Sequence, residues 1–303
     1  MTKKNLSKAL VAKTKGLVIK AAVKPSSGKG RAKESTPALS PFEAVLAKAK
    51  VLSVKKSGWF IAEGMEHLAK ADKKFVDIFG KYGIPEALLS KSDSEAATAV
   101  IPLPVSGASE DCYVSLLKII IYQQLSIKAA APILNRFMEA FGGSDRTIQP
   151  SMVKTAKFET VIIDGKRKVL LNGAVSGLSE SKAKYIADLT DHFLDPAKLQ
   201  NVDLSTLTDD ELREKLLAVK GLGPWSVDMF MMFDLQRANV LPVGDLVVRK
   251  GLAMFHNLPV KHFENKKNLS SVSQLCAAWA PYSSLASFYM WKIAGPALVD
   301  KDK

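Results

Sequence analysis

The chain has 303 residues, only two cysteines (Cys112 and Cys276) and a formal net charge of +13. That length can bury a sizeable core in two lobes, while two cysteines exclude four-cysteine zinc or iron–sulfur ligation within one chain and argue for a reducing compartment over a secreted disulfide scaffold. The charge points to a polyanion, either nucleic acid or an acidic membrane face, and with no apolar run near the ~18 residues that span a bilayer the chain is expected to be soluble.

Residues 1–40 hold ten Lys or Arg against one acid, Glu34, and so carry +9 of the total. Their mix of Lys, Ser, Gly, Pro and Ala buries too little surface to offset the entropy of ordering, and a disordered basic arm is expected over 1–41. Three roles fit it: nuclear import with DNA tethering, a mitochondrial or plastid transit peptide, or a solubilising extension. Nine Lys to one Arg lacks the Arg-rich signature of transit peptides and favours the first.

Residues 42–71 have helical apolar spacing, continued by Phe75, Val76, Ile78 and Phe79 until Gly80 and the break at Gly83-Ile-Pro85. Pro102, Pro104 and Ser106-Gly107 mark a loop. Residues 112–125 are apolar nearly all round, which predicts a central core helix. Ser126 is placed to cap the next helix, which ends at Gly142-Gly143, with Pro132 implying a kink or a late start. Within 150–178, Thr160-Val-Ile-Ile fits a short strand or a helical turn, and Asp164-Gly165 fits a turn. A helix is expected from Ser179 to Phe193, and Thr208-Asp-Asp-Glu211 fits a capping box opening a helix into Lys220. Residues 256–270 read as a loop, and Leu275 to Ile293 as a helix carrying Trp279, Tyr282, Tyr289 and Trp291. The four histidines show no HExxH or paired spacing; they are expected on the solvated surface, with no catalytic transition metal. Strand alternation is scarce, so the fold class is all-α.

The stretch richest in chemistry is Val219-Lys-Gly221-Leu-Gly223-Pro-Trp225-Ser followed by Leu241-Pro-Val-Gly-Asp245. Two glycines let backbone N–H groups approach an anion while the helix after Pro224 aims its positive end at the same place; a glycine C-cap followed by proline is also a common helix stop. Asp245 opens a further helix and reads as an N-cap. A carboxylate so placed beside a bound phosphodiester can also stabilise a developing cation on the sugar or activate a water.

This stretch, with Leu246-Val-Val-Arg-Lys, resembles the helix–hairpin–helix base-excision DNA glycosylases. Ile120-Ile-Tyr-Gln-Gln-Leu-Ser126, Gly177-Leu-Ser-Glu-Ser-Lys-Ala-Lys-Tyr-Ile186 and Trp279-Ala-Pro-Tyr-Ser-Ser-Leu-Ala-Ser-Phe-Tyr-Met-Trp291 are similar to their alkylpurine (3-methyladenine II) branch. The resemblance covers roughly residues 58–293. It implies two helical lobes around a DNA-binding cleft: a discontinuous lobe, 42–111 plus 226–303, with the catalytic Asp245, and a lobe over 112–225 ending in the hairpin. It implies Trp225, Trp291, Tyr122, Tyr289 and Leu246 at the base pocket, and backbone contacts from Gly221, Gly223 and Ser226 with Lys220 adding charge. Gln124, otherwise an ordinary surface glutamine, becomes the wedge that fills the gap left by an extruded base. The carbonyls of Leu217, Val219 and Leu222 become holders of a structural monovalent cation, with no other cofactor. Bifunctional members carry a lysine nucleophile where Trp225 stands, so the chemistry implied is monofunctional. Lys220 replaces the usual proline, Leu246 stands where some relatives have an aromatic, and Ser283 where the branch often has Arg.

The partner implied is double-stranded DNA with damaged bases, bound by a monomer in the nucleus. Alternatives are a glycosylase for other deaminated or oxidised bases and a non-catalytic helix–hairpin–helix DNA-binding protein. Deleting residues 1–40 is expected to flatten the salt dependence of DNA binding, each phosphate neutralised contributing about −0.9 to the slope. A titration of affinity against salt with an unchanged slope would remove the DNA-tethering role.

Overall fold

The computed structural model describes residues 39–52, 55–56, 59–85, 88, 112–143 and 148–295. The basic arm lies almost wholly outside these residues, as does the loop expected at Pro102 to Gly107. Helix α1 spans Pro41–Leu52, a two-residue ladder pairs β1 (Lys55–Lys56) with β2 (Trp59–Phe60), and α2 (Ile61–Ala71) and α3 (Lys74–Tyr82) follow. The continuous helix expected over 42–71 is thus two helices, broken where Lys55-Lys56 and Trp59-Phe60 pair as strands.

Helix α4, Cys112–Tyr122, is the central helix its composition predicts: every residue from Tyr113 to Ile121 is buried, Lys118 included. α5 (Ile127–Glu139) starts directly after its Ser126 cap and continues through Pro132, so the late start does not occur. A short α6 (Pro150–Thr155) leads into a three-stranded antiparallel sheet, β3 (Phe158–Ile163), β4 (Lys166–Leu171) and β5 (Ala174–Val175). This settles the open segment 150–178. Asp164 and Gly165 lie at φ 53° and 70°, the paired positive values of a two-residue type I′ hairpin turn, and β-branched Thr160-Val-Ile-Ile supplies the strand.

Helix α7 (Glu180–Leu194) begins at the Ser179 cap, and α8 (Asp209–Leu217) at the full Thr208–Glu211 capping box. α8 ends at Leu217 rather than Lys220, because residues 218–222 close into turns, Val219 N to Leu216 O and Leu222 N to Val219 O. α9 (Pro224–Met229) widens into a π turn, Phe230–Asp234, and α10 spans Leu246–Phe255. The expected 256–270 loop contains 3-10 turns at His262–Glu264 and Lys266–Ser271, with Phe263 buried. The terminal helix is also shorter than its pattern: a short α11 (Val272–Leu275) ends where that pattern begins, and after a turn through a cis Ala280–Pro281 bond α12 runs Ser283–Ala294.

Helices α1, α2 and α3 pack on one another, α12 packs on α2 and α3, and α10 lies along α12. Phe75, Phe255 and Trp279 interlock there with ring centroids 4.8 to 5.4 Å apart. α4 packs on α5, α7 and the π turn, and α7 on α6. The histidines are less solvated than expected: His192 is buried and bonds Asp188 O, His256 lies parallel to Trp279, and His67 bonds Ala278 O.

α10 comes close to α12 at Gly251, where an added Cβ would sit 2.2 Å from the Met290 carbonyl oxygen. Gly251→Ala must push the helices apart, at a cost of roughly 2 kcal/mol or more, and thermal unfolding should register a midpoint about 5 °C lower. A variant melting with the wild type would contradict this packing.

Candidate functional site

The reversal between α8 and α9 is built on two glycines with opposite surroundings. Gly221 has φ +90°, and a Cβ there would lie 2.3 Å from Cγ of Tyr185, whose ring sits directly beneath it. Gly223 is the extended N-cap of α9 at φ −94°, and a Cβ there would meet nothing within 4 Å. One glycine is therefore demanded by the fold, and the other faces open space. The first intrahelical bond of α9 runs from Val227 N to Gly223 O, so the amides of Trp225 and Ser226 have no partner within the helix.

The reversal is held from behind by one face of α7, where Lys182, Tyr185 and Asp188 recur every three residues. Asp188 Oδ2 accepts the Lys220 amide at 2.8 Å, and Tyr185 fills the space under Gly221. Lys182 Nζ donates to Ile121 O at 2.7 Å and Gln123 O at 2.8 Å at the end of α4, and burial lowers its pKa. The Lys220 amide is thus already engaged, while its exposed ammonium lies 3.8 Å from Asp188 Oδ1. α8 is tied to α9 by Arg213 and the buried Asp228, whose carboxyl burial raises above its usual range against the opposing pull of the guanidinium.

Asp245 caps α10. Its Oδ1 accepts the amides of Val247 and Val248 at 2.8 and 2.9 Å, and the Trp291 indole N–H at 3.2 Å. Oδ2 accepts the Trp225 indole N–H at 2.8 Å. A carboxylate offers about four acceptor positions, two on each oxygen, so the remaining capacity lies on Oδ2. The preceding loop is braced by Arg249, which reaches back from the first turn of α10 to the carbonyls of Val243 and Gly244 at 2.9 and 3.1 Å.

Of the expected pocket residues, Trp225 and Trp291 therefore meet at Asp245, and Leu246 beside it is 44 % exposed. Trp291 is backed by Phe233, stacked at 5.9 Å, and by the edge of Phe288 at 5.5 Å. Tyr122 is half-buried at the end of α4, and burial raises its pKa. Tyr289 is fully buried and donates its hydroxyl to Gly83 O at 2.8 Å; it belongs to the core, because the face of α12 that carries it turns toward α3. Gln124 is exposed at the tip of the α4–α5 loop with φ +57°. The hydroxyl of buried Ser226 accepts a bond from Nε2 of Gln123 at 3.0 Å, which holds the first turn of α9 to the end of α4. Leu217 is exposed, whereas Val219 and Leu222 are buried with their backbones in the turn.

Sequence reasoning missed the bracing residues Lys182, Asp188, Gln123 and Arg249, whose partners are remote in the chain or on the backbone. It also missed Leu125 and Ile127, 39 % and 41 % exposed beside Gln124. Two apolar residues flanking a cap serine, Leu125-Ser126-Ile127, were the available signal.

Residues 117–276 match the family model described as HhH-GPD superfamily base excision DNA repair protein. The DNA-3-methyladenine glycosylase 1 of Schizosaccharomyces pombe is 31 % identical over 187 residues, which is 62 % of this chain and 74 % of that protein. The crystal structure of a DNA-3-methyladenine glycosidase from Bacillus halodurans is similar with a TM-score of 0.54 at 25 % identity, covering 78 % of this chain and 91 % of that one. The fold is also that of a Schizosaccharomyces pombe 3-methyladenine DNA glycosylase in complex with abasic DNA, with a TM-score of 0.53 at 23 % identity over 76 % of this chain and 95 % of that one.

The two glycines give a stability test. Gly221→Ala should lower the unfolding midpoint by several degrees, since both the positive φ and Tyr185 oppose a side chain, while Gly223→Ala should unfold with the wild type. Equal effects in thermal denaturation would contradict the contrast.

Proposed function

The chain belongs to the HhH-GPD superfamily of base excision DNA repair proteins, and from that premise we propose that it is a monofunctional DNA glycosylase that hydrolyses the N-glycosidic bond of alkylated purines such as 3-methyladenine and 7-methylguanine. The observation that carries this reading is the Asp245 carboxylate, held by indole N–H groups from Trp225 and Trp291. Capping α10 requires only the two amide bonds to Oδ1; two tryptophans converging on the same group go beyond what a cap needs.

A base inside the duplex cannot reach Asp245, so the nucleotide must leave the stack. The Gly223 rim, the amides of Trp225 and Ser226 and the ammonium of Lys220 hold the phosphates, while Gln124, with Leu125 and Ile127 exposed beside it, fills the vacated space. Alkylation at N3 or N7 makes the purine cationic, and the indoles of Trp225 and Trp291 offer it electron-rich surface. As the glycosidic bond lengthens, its electron pair leaves with the base and positive charge spreads over the sugar. The fixed carboxylate stabilises that charge without reorganising. Water then adds to the anomeric carbon and loses a proton, giving free base and an abasic site. Tryptophan at 225 offers no amine for a Schiff base.

The carbonyls of Leu217, Val219 and Leu222 fit a monovalent cation, since neutral oxygens suit hard ions and the Val219 carbonyl, which accepts Leu222 N at 3.1 Å, keeps a second lone pair. Such an ion would neutralise phosphate charge at the hairpin. In the two-lobe reading, α1–α3 with α10 and α12 form one group and α4 with α5 and α7 the other. The basic arm fits nuclear import, and a monomer suffices because Asp245, the hairpin and the wedge loop come from one chain.

On methylated duplex DNA, Asp245→Asn should lower base release by at least about a hundredfold while binding persists, and borohydride should trap no adduct with the wild type. Wild-type protein that binds such DNA but releases no base from it would defeat the proposal. Gly223→Ala, folded normally, should weaken affinity for an abasic-site duplex about tenfold, since one methyl between backbone and phosphate separates charge-assisted bonds; unchanged affinity would place the phosphate elsewhere.

A further inference from the structure

The loop joining α4 to α5 and the reversal joining α8 to α9 are about a hundred residues apart in the chain, yet one side chain bridges them. Nε2 of Gln123 donates to Gly221 O at 2.7 Å and to Ser226 Oγ at 3.0 Å. Both acceptors belong to the element that presents backbone amides to open space. Gln123 is half-buried, whereas its neighbours Gln124, Leu125 and Ser126 are exposed. The tip of the loop is therefore free to enter a ligand while its base is tied to the hairpin.

A second tie closes a ring. Lys182 of α7 donates to the carbonyls of Ile121 and Gln123 on the loop side, and three and six residues later Tyr185 and Asp188 of the same helix hold Gly221 and the Lys220 amide on the hairpin side. The loop, the hairpin and α7 thus support one another pairwise, through Gln123, through Tyr185 and Asp188, and through Lys182. Gln124 projects from this frame with φ +57°, a left-handed conformation that a non-glycine residue keeps only when its flanks are pinned. On the loop's other flank Ser126 caps α5 through Ala129 N.

We propose that Gln123 is a positioning residue that couples insertion of the α4–α5 loop tip to the grip of the α8–α9 hairpin on the DNA backbone. The proposal rests on the glycosylase reading. An extruded nucleotide returns to the stack unless the vacated space is filled while the flanking phosphates are held, and keeping the damaged base out of a pair costs a few kcal/mol. Two surfaces that moved independently would have to be ordered against each other at each encounter; a rigid connection removes that entropy loss in advance. Gln123 touches neither sugar nor base in this scheme. Its effect should therefore appear where extrusion is costly and vanish where it is not.

The experiment compares single-turnover release of 7-methylguanine from two duplexes, one with the lesion paired opposite cytosine and one with it in a single-nucleotide bulge lacking a partner. Gln123→Met keeps the length of the side chain and removes both donors; Gln123→Ala, whose gap admits water, carries the same comparison if methionine does not pack. Either variant should lose about tenfold on the paired lesion, the worth of two hydrogen bonds, and less than about twofold on the bulged one, with the thermal midpoint lowered by no more than about 5 °C. Equal losses on both duplexes would reduce Gln123 to an ordinary structural contact, and no loss on either would sever it from the reaction. Wild-type protein inactive on both duplexes would overturn the glycosylase reading itself.

Discussion

Everything at the site converges on how the carboxylate of Asp245 is held. Two donors come from the amides opening its own helix, and two are indole N–H groups supplied from residues 20 positions before and 46 positions after it. Such a carboxylate is both a helix cap and an oriented charge. Capping alone contributes about 1 kcal/mol. The indoles fix the carboxylate's rotation, which decides where the unfilled acceptor position of Oδ2 points. Arg249, bonded to the carbonyls of Val243 and Gly244, keeps the loop before Asp245 from shifting the cap.

The hairpin is organised by a different constraint, close approach. Tyr185 under Gly221 leaves no room for a Cβ, and this contact brings the reversal down onto α7, where Asp188 meets the Lys220 amide. Gly223, two residues on, has open space before it. The neighbouring glycines of one motif thus have opposite surroundings, one pressed on the protein interior and the other open. Tying both this reversal and the end of α4 to a single helix face makes the two turns parts of one frame.

Several sequence expectations failed for identifiable reasons. The helical spacing of 42–71 and of 275–293 continues across breaks, because apolar periodicity measures which side faces the core and is indifferent to a short interruption that preserves that side. Tyr289 shares α12 with Trp291 but lies on the face buried against α3, whereas Trp291 reaches Asp245, so a single residue pattern placed its aromatics on two different faces. The β3–β5 sheet was ambiguous in sequence because a run of four β-branched residues suits either a strand or a buried helical turn; pairing with β4 decides it.

Local chemistry was legible from the sequence alone. Ser126, Thr208 and Asp245 all cap the helices their spacing announces, and Asp164-Gly165 makes its turn, since these bonds join residues no more than three or four apart. The all-α class, the buried α4 and the family followed from ordered motifs and composition. Tertiary structure alone decided that the indole N–H groups of Trp225 and Trp291 both bond the Asp245 carboxylate, that Gln123 meets Gly221, and that Lys182, Tyr185 and Asp188 share their task. Those contacts join positions tens of residues apart, and their geometry depends on how whole helices pack, a property that no short window of sequence contains.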